Sequence, residues 1–280
     1  MHVRRGFASG TDLRAALLPF LVALLAQWAM GGGALACDGL ADGPAGTVTA
    51  VPDGNRVVLD SGIAVRLIGT SAPLAAKGHA GAAPDRRAAA AQTGLAALVM
   101  GKAVRLGLDA EETNRYGDME AELFLDDAAG TWIQGALLAA GLVRVEPSPI
   151  NERCTAEMLA AEAAARAAGL GIWSDPDYSV RDANDPASLA GLAGRYELAE
   201  GRIVSVGTTP RRDYLDFGHV WKDDVTATIG AKTLRRFAAA GIDPVSLSGK
   251  RVRVRGWVEE HDGPAIEIES PAQLERLGPR

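Results

Sequence analysis

The sequence predicts an α+β, mainly β chain: a small five-stranded barrel with helices packed on it, followed by a second small β-barrel. Three observations lead there. Short apolar alternations are bounded by turn residues, the first turn being 52-PDGN-55, and Asp-Gly between such runs is a strong hairpin signal. The order up to residue 176 reads β-β-β-α-β-β-α-α. Beyond residue 195 come five more strand-like runs with one helix in their middle.

The first strands are 46-GTVTAV-51, 56-RVVL-59 and 63-IAVRLIG-69. The stretch 85-DRRAAAAQTGLAALVMG-101 opens on Asp and closes on Gly around helically spaced apolar residues, which are start and stop signals. Strands 103-AVRLGLD-109 and 120-EAELFLD-126 flank the polar turn 111-EETNRYGD-118. Helices follow at 131-TWIQGALLAAGL-142 and 155-TAEMLAAEAAARAAGL-170. Two prolines and weak periodicity mark 174-SDPDYSVRDANDPASLAGLAG-194 as a linker. Then come 201-GRIVSVGTT-209, 213-DYLDFGHVW-221, 224-DVTATIG-230, a helical 231-AKTLRRFAAAG-241 and 250-KRVRVRGWVEEHDGPAIEIES-270, a count that suits a barrel of the oligonucleotide/oligosaccharide-binding (OB-like) type.

The chain has 280 residues, room for two domains after a leader. Arg4, Arg5 and Arg14 precede the apolar run 15-AALLPFLVALLAQWAM-30, and 34-ALA-36 supplies small residues at a cleavage point. This is signal-peptide logic over 1–36; the run is shorter than the ~20 residues of a membrane span, so no transmembrane segment is expected in the mature chain. The expected location is periplasmic or secreted. Cys37 would then be the first mature residue, and Cys154 is the only other cysteine. In an oxidising compartment the pair invites a disulfide worth about 4–5 kcal/mol by the chain-entropy model, while lipidation of Cys37 at a loose lipobox is the competing fate. The expected divisions are a signal peptide at 1–36, a first domain at 37–176, a linker at 177–195 and an OB-like domain at 196–280.

Five stretches carry a resemblance in register: 53-DGNRVVL-59, 65-VRLIGTSAPL-74, 114-NRYGD-118, 136-ALLAAGLVRV-145 and 168-AGLGIWSD-175. From about Gly46 to Asp175 the chain resembles the staphylococcal nuclease-like (thermonuclease) family, whose stretches read approximately D-G-D-T, R-L-x-G-I-D-A-P-E, D-x-Y-G-R, a helix ending A-x-V, and G-x-W. The resemblance implies an OB-type five-stranded barrel. The tail from Lys250 looks like the extra domain appended to some exported bacterial relatives.

Family members hydrolyse phosphodiesters with a calcium ion on two aspartates, a glutamate acting on water and two arginines clamping the phosphate. Hard carboxylate oxygens suit calcium, and forked guanidiniums suit phosphate. At the matching positions this sequence keeps Asp53 and Arg66, but has Asn55 and Ser71 for the calcium acids, Leu74 for the glutamate and Asp118 for the second arginine. Loss of a general base costs ~10²- to 10⁴-fold and loss of a transition-state charge stabiliser ~10²- to 10³-fold. No catalytic set is intact, and no metal or cofactor is expected unless calcium serves a rebuilt site using Asp60, Asp109, Glu111 or Glu112. Arg66 is open to two roles, clamp or structural partner of Asp53 or Asp118.

Residues 37–194 carry 12 Lys+Arg against 21 Asp+Glu, a net of −9, whereas 195–280 carry 14 against 13, a net of +1. A phosphate-tracking surface needs the opposite sign from the first half. In the second half Arg251, Arg253, Arg255 and Trp257 alternate along one strand face, a composition used to bind single-stranded nucleic acid, and equally the outer face of a strand whose acids pair with it. The expectation is an exported, catalytically inactive binding or scaffold module whose partner is a protein, an envelope component or single-stranded nucleic acid. A divergent metal-dependent endonuclease or phosphodiesterase acting on DNA or RNA is the alternative.

Overall fold

The computed structural model describes residue 37 and residues 39–73, 85–109, 113–114, 116–149, 152–220 and 222–278. The expected signal peptide, together with Leu74, Glu111 and Glu112, lies outside the described residues. Cys37–Arg280 forms one compact unit.

The first half closes a five-stranded barrel in the order β1-β2-β3-β6-β5, from β1 (Ala41–Asp53), β2 (Arg56–Leu59), β3 (Ala64–Leu67), β5 (Ala103–Leu108) and β6 (Met119–Leu125). The Asp-Gly turn joins β1 to β2 as expected. Alternation in β2 and β3 sends Val57, Leu59, Val65 and Leu67 into the core, where all are at most 1% exposed. Helix α1 (Arg86–Val99) begins where the Asp85 carboxylate accepts the N–H of Arg87, and it buries Ala91, Leu95 and Val99 at helical spacing. Helix α2 (Ile133–Ala139) carries the buried Gln134, whose side chain accepts the N–H of Leu123 and donates to the carbonyl of Ala121, so β6 gains side-chain hydrogen bonds along its backbone. Two short strands absent from the sequence reading, β4 (Thr70–Ser71) and β7 (Arg144–Val145), pair beside the barrel.

Helix α3 (Thr155–Ala167) starts at Cys154, which is disulfide-bonded to Cys37 with a Cα–Cα distance of 4.9 Å. The ends of α2 and α3 meet through two glycines. Gly141 (φ +65°) and Gly171 (φ +55°) lie back to back, a Cβ on either would collide with backbone of the other segment, and the N–H of Ile172 donates to the carbonyl of Gly141 at 2.9 Å.

The segment expected as a linker carries local structure. Asp175 and Asp185 cap short 3₁₀ turns that begin at Pro176 and Pro186, and β8 (Arg181–Asp182) joins the second sheet. That sheet is curled, in the order β10-β11-β12-β14-β13-β9-β8, from β9 (Tyr196–Arg202), β10 (Ser205–Thr208), β11 (Arg212–Asp216), β12 (Thr226–Gly230), β13 (Arg251–Glu260) and β14 (Pro264–Ile268), with β15 (Leu274–Arg276) paired to β13. Its core gathers Phe217, Ile229, Val252, Val254 and Ile266 under helix α4 (Ala231–Ala239). The fold is therefore the expected one: an OB-type barrel with helices, then a second β domain.

Candidate functional site

The turn between β1 and β2 holds the first two site positions. The Asp53 carboxylate accepts the N–H of Asn55 at 3.0 Å, and the Asn55 amide donates to the carbonyl of Thr70 at 3.0 Å. A carboxylate at position 55 could not make that second bond, because two acceptors would face one another. Asn55 is thus a structural tie between the hairpin and β4.

Asp118 is buried, 6% exposed, and its carboxylate meets Arg56 at 3.2 Å and the amide of Asn114 at 3.2 Å. Asn114 in turn accepts the N–H groups of Tyr116 and Asp118, closing the turn before β6. The acid at the place of the second phosphate clamp is therefore answered by a neighbouring arginine.

Arg66 pairs with Glu120 and Glu146, and with neither Asp53 nor Asp118. Strand register explains this: Arg56 lies opposite Arg66 across β2 and β3, and Arg66 lies opposite Glu120 across β3 and β6. Two like charges side by side turn to different acids. Arg56 takes Asp118 and, at 3.9 Å, Asp53; Arg66 takes Glu120 at 3.9 Å and Glu146 at 3.5 Å.

Glu146 follows β7 and is the centre of this group. Burial pushes its carboxyl above the usual carboxylate range, opposed by Arg66 and by hydrogen bonds from the Trp257 indole and the Ser71 hydroxyl. The Trp257 bond measures 3.1 Å. Tyr196 donates its hydroxyl to the carbonyl of Val145 at 3.1 Å and meets Trp257 edge to face, with centroids 5.7 Å apart. Two aromatic residues of the second sheet thus border a hollow of ≈180 Å³ beside Arg66, Glu120 and Glu146. Arg66 meets carboxylates on two sides, and Ser71, at the other position matched to a calcium acid, lies on β4 opposite Arg144 of β7.

The basic alternation on β13 is occupied in the same manner. Arg251 meets Glu200 at 3.4 Å, and Arg253 meets Glu200 and, at 2.9 Å, Glu275. Arg255 is 1% exposed and reaches Glu162 on α3 at 2.8 Å and Glu275 on β15. Burial alone would lower the proton affinity of Arg255; Glu162, Tyr196 and Glu275 outweigh it and hold the guanidinium well above its usual range. A second buried cluster lies alongside, where Arg144 donates to the carbonyl of Tyr196 and meets the fully buried Glu197 at 3.5 Å. Arg181 and Arg195 also approach Glu197, at 3.4 and 3.0 Å. These contacts bind the second sheet to the first barrel and α3.

Of the acids proposed for a rebuilt metal site, Asp60 accepts the N–H of Thr47 at 3.2 Å, and Asp109 binds the backbone of Glu152 and the side chain of Arg153. Among the described residues, the one group of three His/Cys/Asp/Glu ligand atoms within 4.8 Å of one another is Cys37, Glu122 and Cys154, whose sulfurs are joined to each other. The residues that sequence reasoning missed are Glu146, Glu162, Glu200 and Glu275. One signal could have found Glu162: it shares a helical face with the buried Met158 and Ala165, and a charge inside an apolar stripe requires a partner.

Residues 64–175 match the family model described as Staphylococcal nuclease homologue, which supports a staphylococcal nuclease-like domain in this chain. A search of curated proteins found no match.

Proposed function

We propose that this chain is a catalytically inactive staphylococcal nuclease-like protein, exported to the periplasm or beyond, that serves as a binding or scaffold module. One observation carries the reading: both phosphate-clamp positions are closed by opposite charges of the protein itself, Arg66 by Glu120 and Glu146, and the acid that stands at the second, Asp118, by Arg56. A phosphodiester approaching there meets three carboxylates and arginines already engaged. The Asn55 amide donates within the protein, and neither it nor the neutral Ser71 hydroxyl offers a charged ligand to calcium. A disulfide and the lack, among the described residues, of any helix long and apolar enough to cross a membrane are compatible with export. A protein or envelope partner is favoured over single-stranded nucleic acid, because Arg251, Arg253 and Arg255 all face acids of this chain.

A second reading, a divergent metal-dependent nuclease or phosphodiesterase, draws support from Glu146, a carboxyl with raised proton affinity 3.5 Å from Arg66. Incubation of the purified protein with single-stranded DNA and with RNA, in calcium or in chelator, separates the two. No cleavage above a buffer control is expected. Chelator-sensitive cleavage that disappears in both Arg66→Ala and Glu146→Gln would establish the second reading and end the first.

A further inference from the structure

Strand β13 carries both signs of charge on one face, and Trp257 divides them. Arg251, Arg253 and Arg255 lie on one side of it, in the ion pairs with Glu200, Glu275 and Glu162. Past Trp257 the same parity continues to Glu259 and, beyond the strand, His261. Register extends this second half across the sheet: Glu259 lies opposite Ala265, Ala265 opposite Thr226, Thr226 opposite Asp216, and Asp216 opposite Ser205. The neighbouring row runs Glu267, Thr228, Tyr214 and Gly207.

This half of the face holds a hollow of ≈670 Å³, against ≈180 Å³ beside Arg66. Asp216, Glu259 and Asp262 line it with one arginine, Arg212, which is itself paired with Glu267 at 3.2 Å. The hydroxyls of Ser205 and Thr226 donate to the Asp216 carboxylate at 3.0 and 3.2 Å and fix its direction. Glu259 is exposed and meets His261 at 2.9 Å. Asp262 stands at the tip of the β13–β14 hairpin with φ +49°, the single positive-φ residue other than glycine among the described residues, a conformation that Asp tolerates better than most. Tyr214 exposes 37% of its surface on the face.

We propose that this acidic half of the sheet binds a basic segment of a partner polypeptide, lysines or arginines meeting Glu259, Asp262 and Asp216 while Tyr214 offers a ring for a cationic head or an aliphatic stem. Charge complementarity selects the partner's sign, and phosphate is repelled. Continuity with an interface already in use supports the mode: along the same strand face, arginine meets glutamate where the sheet docks on α3. The inference rests on the binding-module reading and gives its partner a chemical class.

Fluorescence anisotropy of a fluorescein-labelled nona-lysine peptide added to the intact chain tests it, with spermine and nona-glutamate in parallel. Saturable binding that weakens as salt rises is expected. Glu259→Gln with Asp262→Asn should weaken it at least about threefold, from two exposed charge contacts, with an unchanged melting curve. Asp42→Asn with Asp126→Asn, an equal change of charge at exposed positions of the first barrel, should leave it unaltered. Equal loss in both double variants would mean non-specific attraction to an acidic chain, and spermine binding without peptide binding would mean a small polyamine ligand; either result overturns the proposal, as does no binding at all. None of these outcomes bears on cleavage of DNA or RNA, so this failure and that of the non-catalytic reading remain distinguishable.

Discussion

Arg66 and Arg255 each sit within a β-strand between two glutamates, and their surroundings give the arrangement opposite meanings. Arg66 keeps 34% of its side chain exposed, and its nearest carboxylate oxygens are at 3.5 and 3.9 Å. Arg255 keeps 1%, and its contact to Glu162 is 2.8 Å. Solvent screens the first group and is excluded from the second, so the same residue types make a weak surface cluster in one place and a structural link in the other. A basic residue in a strand identifies neither a ligand site nor a fold element until its neighbours across the sheet are known.

The strongest way to break this comparison is to remove Arg255. Arg255→Met leaves Glu162 buried and without that partner, and should cost about 3–5 kcal/mol in urea unfolding. Adding Glu162→Gln, which keeps an acceptor for the N–H of Val145, should restore part of the loss; simple additivity of the two changes would deny the coupling. The acid limb sharpens the contrast further. Burial pushes Glu275 up, but Arg255 and Arg253 outweigh it and hold the carboxyl below its usual range. Its stabilising contribution is therefore present above the ordinary carboxylate pKa and lost as pH falls through the depressed folded value. Glu146 has the opposite sign: its contribution is full below the ordinary value and lost as pH rises through the raised folded one. Urea midpoints across the carboxylate range should show Glu275→Gln flattening the acid-side loss and Glu146→Gln removing the loss on the rising side. Identical profiles for the two variants would dissolve the distinction. The smallest effect is expected for Arg66→Ala, within about 1 kcal/mol of the parent.

The local signals in the sequence were sound where the structure is local. The Asp-Gly turn, the Asp85 cap and the apolar faces of β2, β3 and α1 all follow from neighbours a few residues apart. What stayed hidden were partners set by register and docking. Asp118 is matched with Arg56 because β2 and β3 place two arginines side by side, a fact of pairing rather than spacing. Trp257 reaches Glu146 across 111 residues, and β4 pairs with β7 through strands of two residues each, too short to leave a period. The basic alternation on β13 was legible as a pattern, but its meaning depended on glutamates drawn from α3, β9 and β15.

The back-to-back glycines at the ends of α2 and α3 bear on how kinship is read. Gly141 and Gly171 fall within the matched stretch 64–175, and steric contact alone demands both. That demand is the same with any activity or none, so likeness carried by such positions measures shape. A lineage could exchange every reacting group and still be grouped by its joints.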